Sequence, residues 1–206
     1  MSHKYQDLIQ IFAEQFACSE NTRLVKGDDE PIYLPADANV EYHRIIFAHG
    51  FYASALHEIS HWCIAGKERR LLEDFGYWYA PDGRDSQLQA KFESVEIKPQ
   101  AIEWAFCLAS NFKFNVSADN LNGAEVDRFS FQQKVQQQAL QYLQQGFPIR
   151  AQQFIDALIA FYQPGFVLTP ANFEVGLAHL DTKAELESRD AAIIHQRAEE
   201  VVHETI

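Results

Sequence analysis

Cysteine is scarce in this chain: three residues, Cys18, Cys63 and Cys107, are spread over 206 positions. An odd number of widely spaced cysteines does not form the disulfide framework that is typical of small secreted domains. The sequence also lacks an apolar signal segment and any hydrophobic run long enough to span a bilayer. We therefore expect a cytoplasmic protein with reduced thiols and no membrane association.

Basic residues are few as well. Seventeen Lys and Arg residues stand against 29 Asp and Glu residues, which gives a formal net charge of −12. Phosphate backbones repel such an acidic chain, so no direct contact with nucleic acid is expected. Hydrophobic residues, by contrast, make up 47% of the sequence and include 16 Phe, which is enough for a substantial core.

The spacing of apolar residues predicts a mostly helical protein. Predicted helices cover about 4–18, 45–65, 99–112 (with Pro99 at its first position), 131–145 and 149–162. Extended residues at 31–34 and an aromatic run at 75–79 predict a small, irregular β component. The predicted fold class is α+β, mostly α.

The segment His57-Glu58-Ile59-Ser60-His61 has the pattern H-E-x-x-H and lies in the second predicted helix. Residues four apart share a helix face, so His57 and His61 can bind one metal ion. The flanking residues are apolar on most sides, and two buried histidines with a buried glutamate would be costly without a shared partner. We therefore predict that His57 and His61 are metal ligands.

A third ligand is expected because catalytic sites normally take three protein ligands and leave one position open. Glu103 is the predicted candidate, since it lies in the otherwise apolar segment 101–108, where a lone carboxylate needs a positive partner. The rival carboxylates that stay open are Glu93, Glu96, Glu73 and Asp85.

Two histidines and one carboxylate serve two kinds of reaction. With zinc, Glu58 would act as general base on bound water, as in a metallopeptidase. With iron(II), the same set leaves positions for dioxygen, as in an oxygenase. The motif alone favours the peptidase, and composition does not decide between the two metals.

Longer strings extend the pattern. They are NTRLVKG at 21–27, EPIYLPA at 30–36, FAHGFYASALHEISHWC at 47–63, DFGYWY at 74–79, PDGR at 81–84 and FESVEIKPQAIEW at 92–104. In these strings the chain resembles the elongation factor P hydroxylase family. The resemblance covers most of residues 21–115, and the C-terminal third contains nothing as diagnostic.

The resemblance implies a bacterial non-haem iron hydroxylase built like a zincin-type metalloprotein. Its substrate would be the modified lysine of elongation factor P, which is also the implied protein partner, after a lysyl group has been attached. The implied cofactor is Fe(II), and the implied cosubstrate is dioxygen. In crystals another divalent metal can take the place of Fe(II). No run identifiable as a 2-oxoglutarate clamp is present, so the electron donor stays open.

The resemblance assigns His57 and His61 as ligands, whereas Glu103 rests on the buried-charge argument alone. Glu58 is the candidate catalytic residue. In a hydroxylase it could orient a metal-bound water, bind the substrate amine or support a ligand through a hydrogen bond. We predict one catalytic domain over 1–206, monomeric, with the metal-site core at about 21–115 and a helical C-terminal part at about 128–206.

Overall fold

A computed structural model of the protein describes residues 3–74, 83–118 and 127–175. Within these ranges the helices are α1 (Tyr5–Phe16), α2 (Tyr52–Ile64), α3 (Ser86–Ala109), α4 (Arg128–Gln145) and α5 (Ile149–Tyr162). The strands are β1 (Thr22–Lys26), β2 (Ile32–Leu34) and β3 (His43–Phe47). The predicted fold class, α+β and mostly α, is confirmed. No helix in the described ranges combines the length and the apolar character that crossing a membrane requires.

The three strands form one sheet with β3 in the centre. β3 pairs in parallel with β1, where Leu24 lies opposite Ile45, and antiparallel with β2, where Tyr33 lies opposite Ile45. Pairing on both edges explains why the apolar run at 45–47 is a strand, although it was predicted as the start of the second helix. That prediction of the helix start was wrong: α2 begins at Tyr52.

A tight turn joins β3 to α2. His49 and Gly50 both have positive φ angles, 51° and 74°. Such an angle is unusual for a residue with a side chain, such as His49, and is readily adopted by glycine. A Cβ atom on Gly50 would also lie 3.1 Å from the ring of Tyr5 on α1. The turn therefore fixes the direction in which α2 leaves the sheet.

Helix α3 begins well before the predicted position. The Asp85 side chain accepts hydrogen bonds from the backbone N–H groups of Gln87 and Leu88, both at 2.9 Å, and so caps the helix at Ser86. Pro99, predicted to start the helix, lies inside it, so that prediction was wrong. Its ring removes one backbone hydrogen bond, but α3 continues through it to Ala109.

Three predicted helices are confirmed, and two further predictions fall on residues that the structure does not describe. The predicted helices at 4–18, 131–145 and 149–162 are confirmed within a few residues by α1, α4 and α5. The aromatic run at 75–79 and the chain beyond 175 lie outside the described residues.

The core is centred on α2 and the second half of α3. Helices α2, α4 and α5 all pack against α3, whose residues 100–107 are buried on every side. Fully buried rings and aliphatic side chains, among them Phe12, Leu56, Phe106 and Phe154, fill the space between the helices. Each such side chain stabilises the fold by about 1.5–3 kcal/mol relative to an exposed one. The two central helices are thus held rigidly in contact.

Arg150, in the first turn of α5, holds the C-terminal end of α2. Its Nη2 atom donates to the backbone oxygens of Trp62, Cys63 and Ala65, at 2.9, 3.1 and 2.6 Å. Its guanidinium lies 4.7 Å above the Trp62 ring centroid, close enough for a cation–π contact. A cation at this end also complements the helix dipole.

Replacing Arg150 with alanine is expected to destabilise the protein by about 2 kcal/mol, because these charge-assisted hydrogen bonds are lost from partly buried carbonyl groups. For a chain of this size the melting temperature should fall by about 4–8 °C. Lys134→Ala is the matched control, since its ion pair with Glu93 joins a half-exposed lysine and should contribute less than about 1 kcal/mol. Equal melting temperatures for the two variants would contradict the capping role.

Candidate metal centre

Helix α2 places the two histidines of the H-E-x-x-H segment side by side. The Nε2 atoms of His57 and His61 lie 3.0 Å apart, as expected for residues one helical turn apart on the same face. Their side chains are largely buried, with 25% and 13% of the surface exposed. Two imidazole nitrogens at this separation repel each other through their lone pairs unless a proton or a metal ion lies between them.

Helix α3 brings Glu96 to the same point. Its Oε1 atom lies 3.3 Å from Nε2 of His61, and its Oε2 atom lies 3.6 Å from Nε2 of His57. The side chain of Glu96 is 7% exposed. One donor atom from each of these three residues falls within 4.8 Å of the others, which makes them the group in the described part of the chain that is suited to holding a metal ion.

Glu103, the predicted third ligand, lies on the other side of the His57 ring. Its Oε2 atom lies 2.8 Å from Nδ1 of His57, the ring nitrogen opposite the one that faces His61 and Glu96. A carboxylate in this position accepts a hydrogen bond from the protonated Nδ1 atom. The lone pair of Nε2 is then available to a metal ion. The structure thus groups Glu96, one of the rivals, with the two Nε2 atoms and places Glu103 behind His57.

The other rival carboxylates have other partners or surroundings. Glu93 pairs with Lys134 at 3.2 Å, and Asp85 caps the first turn of α3. Glu73 is exposed on the surface. None of the three belongs to the group formed by the histidines in the described residues.

Sequence reasoning kept Glu96 only as a rival to Glu103, because it placed the start of the helix at Pro99. With α3 starting at Ser86, Glu96 and Glu103 are seven residues apart, about two turns, and lie on the same face. Both residues are buried, so the buried-charge argument applies equally to each. The seven-residue spacing is the signal that could have found the pair.

The electrostatics of the site favour a bound cation. Burial alone would lower the pKa of His57, but the carboxylates of Glu103, Glu96 and Glu58 outweigh it and raise that pKa to about 10. Burial would raise the pKa of Glu96, yet His61 and His57 lower it to about 2, with help from a hydrogen bond to Gln100. Three carboxylates around two imidazoles therefore stabilise positive charge at the ring nitrogens.

These donors fit a divalent transition-metal ion. Two imidazole nitrogens and one carboxylate oxygen are ligands used by both zinc and non-haem iron(II), and they leave part of the coordination sphere open. A second carboxylate that orients a ligating histidine is the usual accompaniment of such sites.

An open cleft lies beside this centre and encloses about 410 Å³, a volume that includes solvent-open space at its mouth. It is lined by Tyr33, Ile45, Glu58, His61, Trp62, Ala65, Arg69, Arg70 and Asp74. His61 is thus both a member of the metal-binding group and part of the cleft wall, and Glu58 lies one helical turn before Trp62 on the same wall.

The helix pair and its donors define a candidate metalloenzyme of the H-E-x-x-H class. The model of the elongation factor P hydroxylase family matches residues 11–173, and the chain belongs to this family. It is also similar to the elongation factor P lysine hydroxylase of Haemophilus influenzae, with 54% identity over 175 residues. That alignment covers 85% of this chain and 98% of the relative.

Replacing Glu96 with glutamine is expected to weaken Co(II) or Fe(II) binding more than Glu103→Gln does. The first change removes a ligand, whereas the second removes only the group that orients His57 and should weaken binding by about 10–100-fold. Competition with a chelator gives the dissociation constants. Glu93→Gln, which alters a carboxylate paired with Lys134, should leave them unchanged. Weaker metal binding in Glu103→Gln than in Glu96→Gln would instead identify Glu103 as the ligand.

Proposed function

We propose that the protein is an iron- and oxygen-dependent hydroxylase of elongation factor P that acts on the modified lysine after lysylation. The observation that carries the proposal is the donor group of His57, His61 and Glu96 beside an open cleft, in a chain of the elongation factor P hydroxylase family. The name of the Haemophilus influenzae relative, a lysine hydroxylase, supports lysine as the target.

In this proposal His57, His61 and Glu96 hold the metal. Iron(II) held by two histidines and one carboxylate supplies the activation of dioxygen. Glu103 keeps the proton on Nδ1 of His57, so that Nε2 stays available as a ligand. Burial of Glu96 keeps water away from the carboxylate side of the centre.

The overall reaction balances with an external two-electron donor. One oxygen atom of dioxygen enters a C–H bond of the lysyl-modified side chain as a hydroxyl group. The other oxygen atom leaves as water, after taking up two electrons and two protons from the donor. Glu58, on the cleft wall, is proposed as the catalytic-site residue that contacts the substrate.

A zinc metallopeptidase is the second candidate, favoured by one observation. Glu58 follows His57 directly and lies on the cleft wall beside His61, as the general base of such a peptidase would. Hydroxylation requires oxygen and peptide hydrolysis does not, so the two functions are separable by experiment.

Incubating lysylated elongation factor P with the iron-loaded protein, a reductant and air is expected to increase its mass by about 16 Da, because one oxygen atom is added. Mass spectrometry of the intact factor measures this gain. The gain should disappear without oxygen and with His57→Ala, which removes a ligand.

The control for the metal is the same reaction with zinc-loaded protein, which should give no mass gain. No gain with iron across reductants and 2-oxoglutarate, together with zinc-dependent cleavage of peptides under nitrogen, would replace the proposal with the peptidase.

A further inference from the structure

The cleft beside the metal centre has apolar walls over much of its surface. Ile45 on β3 and Trp62 and Ala65 at the end of α2 contribute hydrocarbon, and the Tyr33 ring lies on the sheet side. Such walls suit the methylene groups of a long alkyl side chain.

Most charged groups of the cleft are neutralised by pairs within the protein. Arg69 donates from Nη2 to Oδ1 of Asp74 at 2.8 Å, and Arg70 donates from Nη1 to Oε2 of Glu20 at 2.7 Å. The Tyr33 hydroxyl donates to the backbone oxygen of Arg70 at 2.9 Å, which ties the sheet to this side of the cleft. These pairs hold the arginines in place.

Glu58 differs from these residues. Within the described part of the chain, its carboxylate has no hydrogen bond or ion pair, although it lines the cleft. A cationic group entering the cleft would supply the missing partner.

We propose that the cleft binds a primary alkylammonium side chain, with its ammonium group on Glu58 and its methylene groups against Ile45 and Trp62. This inference rests on the proposed function, because a lysine or lysyl group is such a side chain. Glu58 then selects the substrate by charge, and His61, which shares the cleft wall, places that side chain next to the metal-binding group.

A double substitution cycle tests the contact without turnover. The affinities of wild-type protein and Glu58→Gln are measured without oxygen, for lysylated elongation factor P and for a factor whose modifiable lysine is replaced by methionine. Wild-type protein should prefer the lysylated factor, and Glu58→Gln should reduce this preference by about 10-fold or more, because a charged hydrogen bond is lost. Glutamine keeps the shape of the side chain.

The matched control is Glu93→Gln, a carboxylate paired with Lys134 on α4, which should keep the wild-type preference. A preference that is the same in wild-type protein and Glu58→Gln, or absent from wild-type protein, overturns the ammonium contact. Hydroxylation by the wild-type protein is scored separately by mass, so a failure of the proposed function is distinguished from a failure of this contact.

A second, independent observation concerns Gln100, which is fully buried on α3 one turn after Glu96. Its Oε1 atom accepts a hydrogen bond from the backbone N–H of Ser117 at 3.0 Å. Its Nε2 atom donates to the backbone oxygen of Ser117 at 2.7 Å and to Oε2 of Glu96 at 3.2 Å. The two contacts with Ser117 join α3 to the segment that follows it, and the third links Gln100 to Glu96 within the helix.

The pairing with Ser117 fixes the orientation of the amide group. A backbone N–H can only donate and a backbone oxygen can only accept, so a rotated amide would lose both bonds. The amide nitrogen of Gln100 must therefore face Glu96. It engages Oε2, while Oε1 of Glu96 is the oxygen nearer to a histidine, at 3.3 Å from His61.

We infer that Gln100 is a positioning residue that holds Glu96 for binding metal through Oε1. The inference rests on Glu96 being a ligand, as in the proposed function. Gln100→Met, which keeps the length but not the hydrogen bonds, should weaken Co(II) binding by about 10–100-fold, the usual cost of losing a group that orients a ligand. Chelator competition measures the dissociation constant.

The control is Gln163→Met. Gln163 donates from Nε2 to the backbone oxygens of Leu108 and Ala109, at 2.6 and 3.1 Å, and so joins α5 to the end of α3. The Gln163→Met substitution should lower the melting temperature of the metal-free protein without changing its affinity for metal. A Gln100→Met protein that binds Co(II) within about twofold of wild type overturns the inference, whereas a wild-type protein that binds no metal overturns the proposed function instead.

If Gln100→Met does not fold, NMR of the wild-type protein decides. The side-chain amide resonances of Gln100 should shift on addition of Zn(II), and those of Gln163 should not. Equal shifts for the two amides overturn the positioning role.

Discussion

The contact between α2 and α3 brings three carboxylates together around two imidazoles, and two of these carboxylates are buried. Glu96, Glu103 and Glu58 surround the imidazoles of His57 and His61, and the first two carboxylates are buried. Leaving such charges without a counter-ion costs several kcal/mol per ion, even after the structure relaxes. A positive ion at the ring nitrogens would reduce this cost for Glu96 and Glu103, and the rest of the architecture holds the two helices in the position that such a site requires.

Three features maintain that arrangement. The turn at His49 and Gly50 directs α2 from the central strand, Arg150 fixes its C-terminal end, and the apolar second half of α3 anchors Glu103 in the core. Ligands on two packed helices are held more accurately than ligands on loops, since each helix is supported along its length. Rigidity of this kind suits a site in which one carboxylate faces the ligand atoms and another orients a histidine.

Local patterns predicted part of this from the sequence. The H-E-x-x-H spacing predicted the facing pair of His57 and His61, and the spacing of apolar residues predicted α1, α4 and α5. The helix start predicted at Pro99 was wrong, because this proline, a residue typical of the first turn, lies inside a long helix. The wrong boundary left Glu96 outside the predicted helix that contains Glu103. The cleft was not predictable, since Tyr33, Glu58 and Arg70 meet there only through tertiary packing.

Trp62 gives the protein an optical property of its own. Trp62 follows His61 directly and lines the cleft, and the guanidinium groups of Arg150 and Arg70 lie 4.7 and 5.8 Å from its ring centroid. Indole emission depends on the charges and polarity beside the ring, both of which change when a cationic side chain enters the cleft. The fold therefore contains a built-in fluorophore in the wall of the cleft beside the candidate metal centre, and a change in its emission would report occupancy of the cleft without an added label.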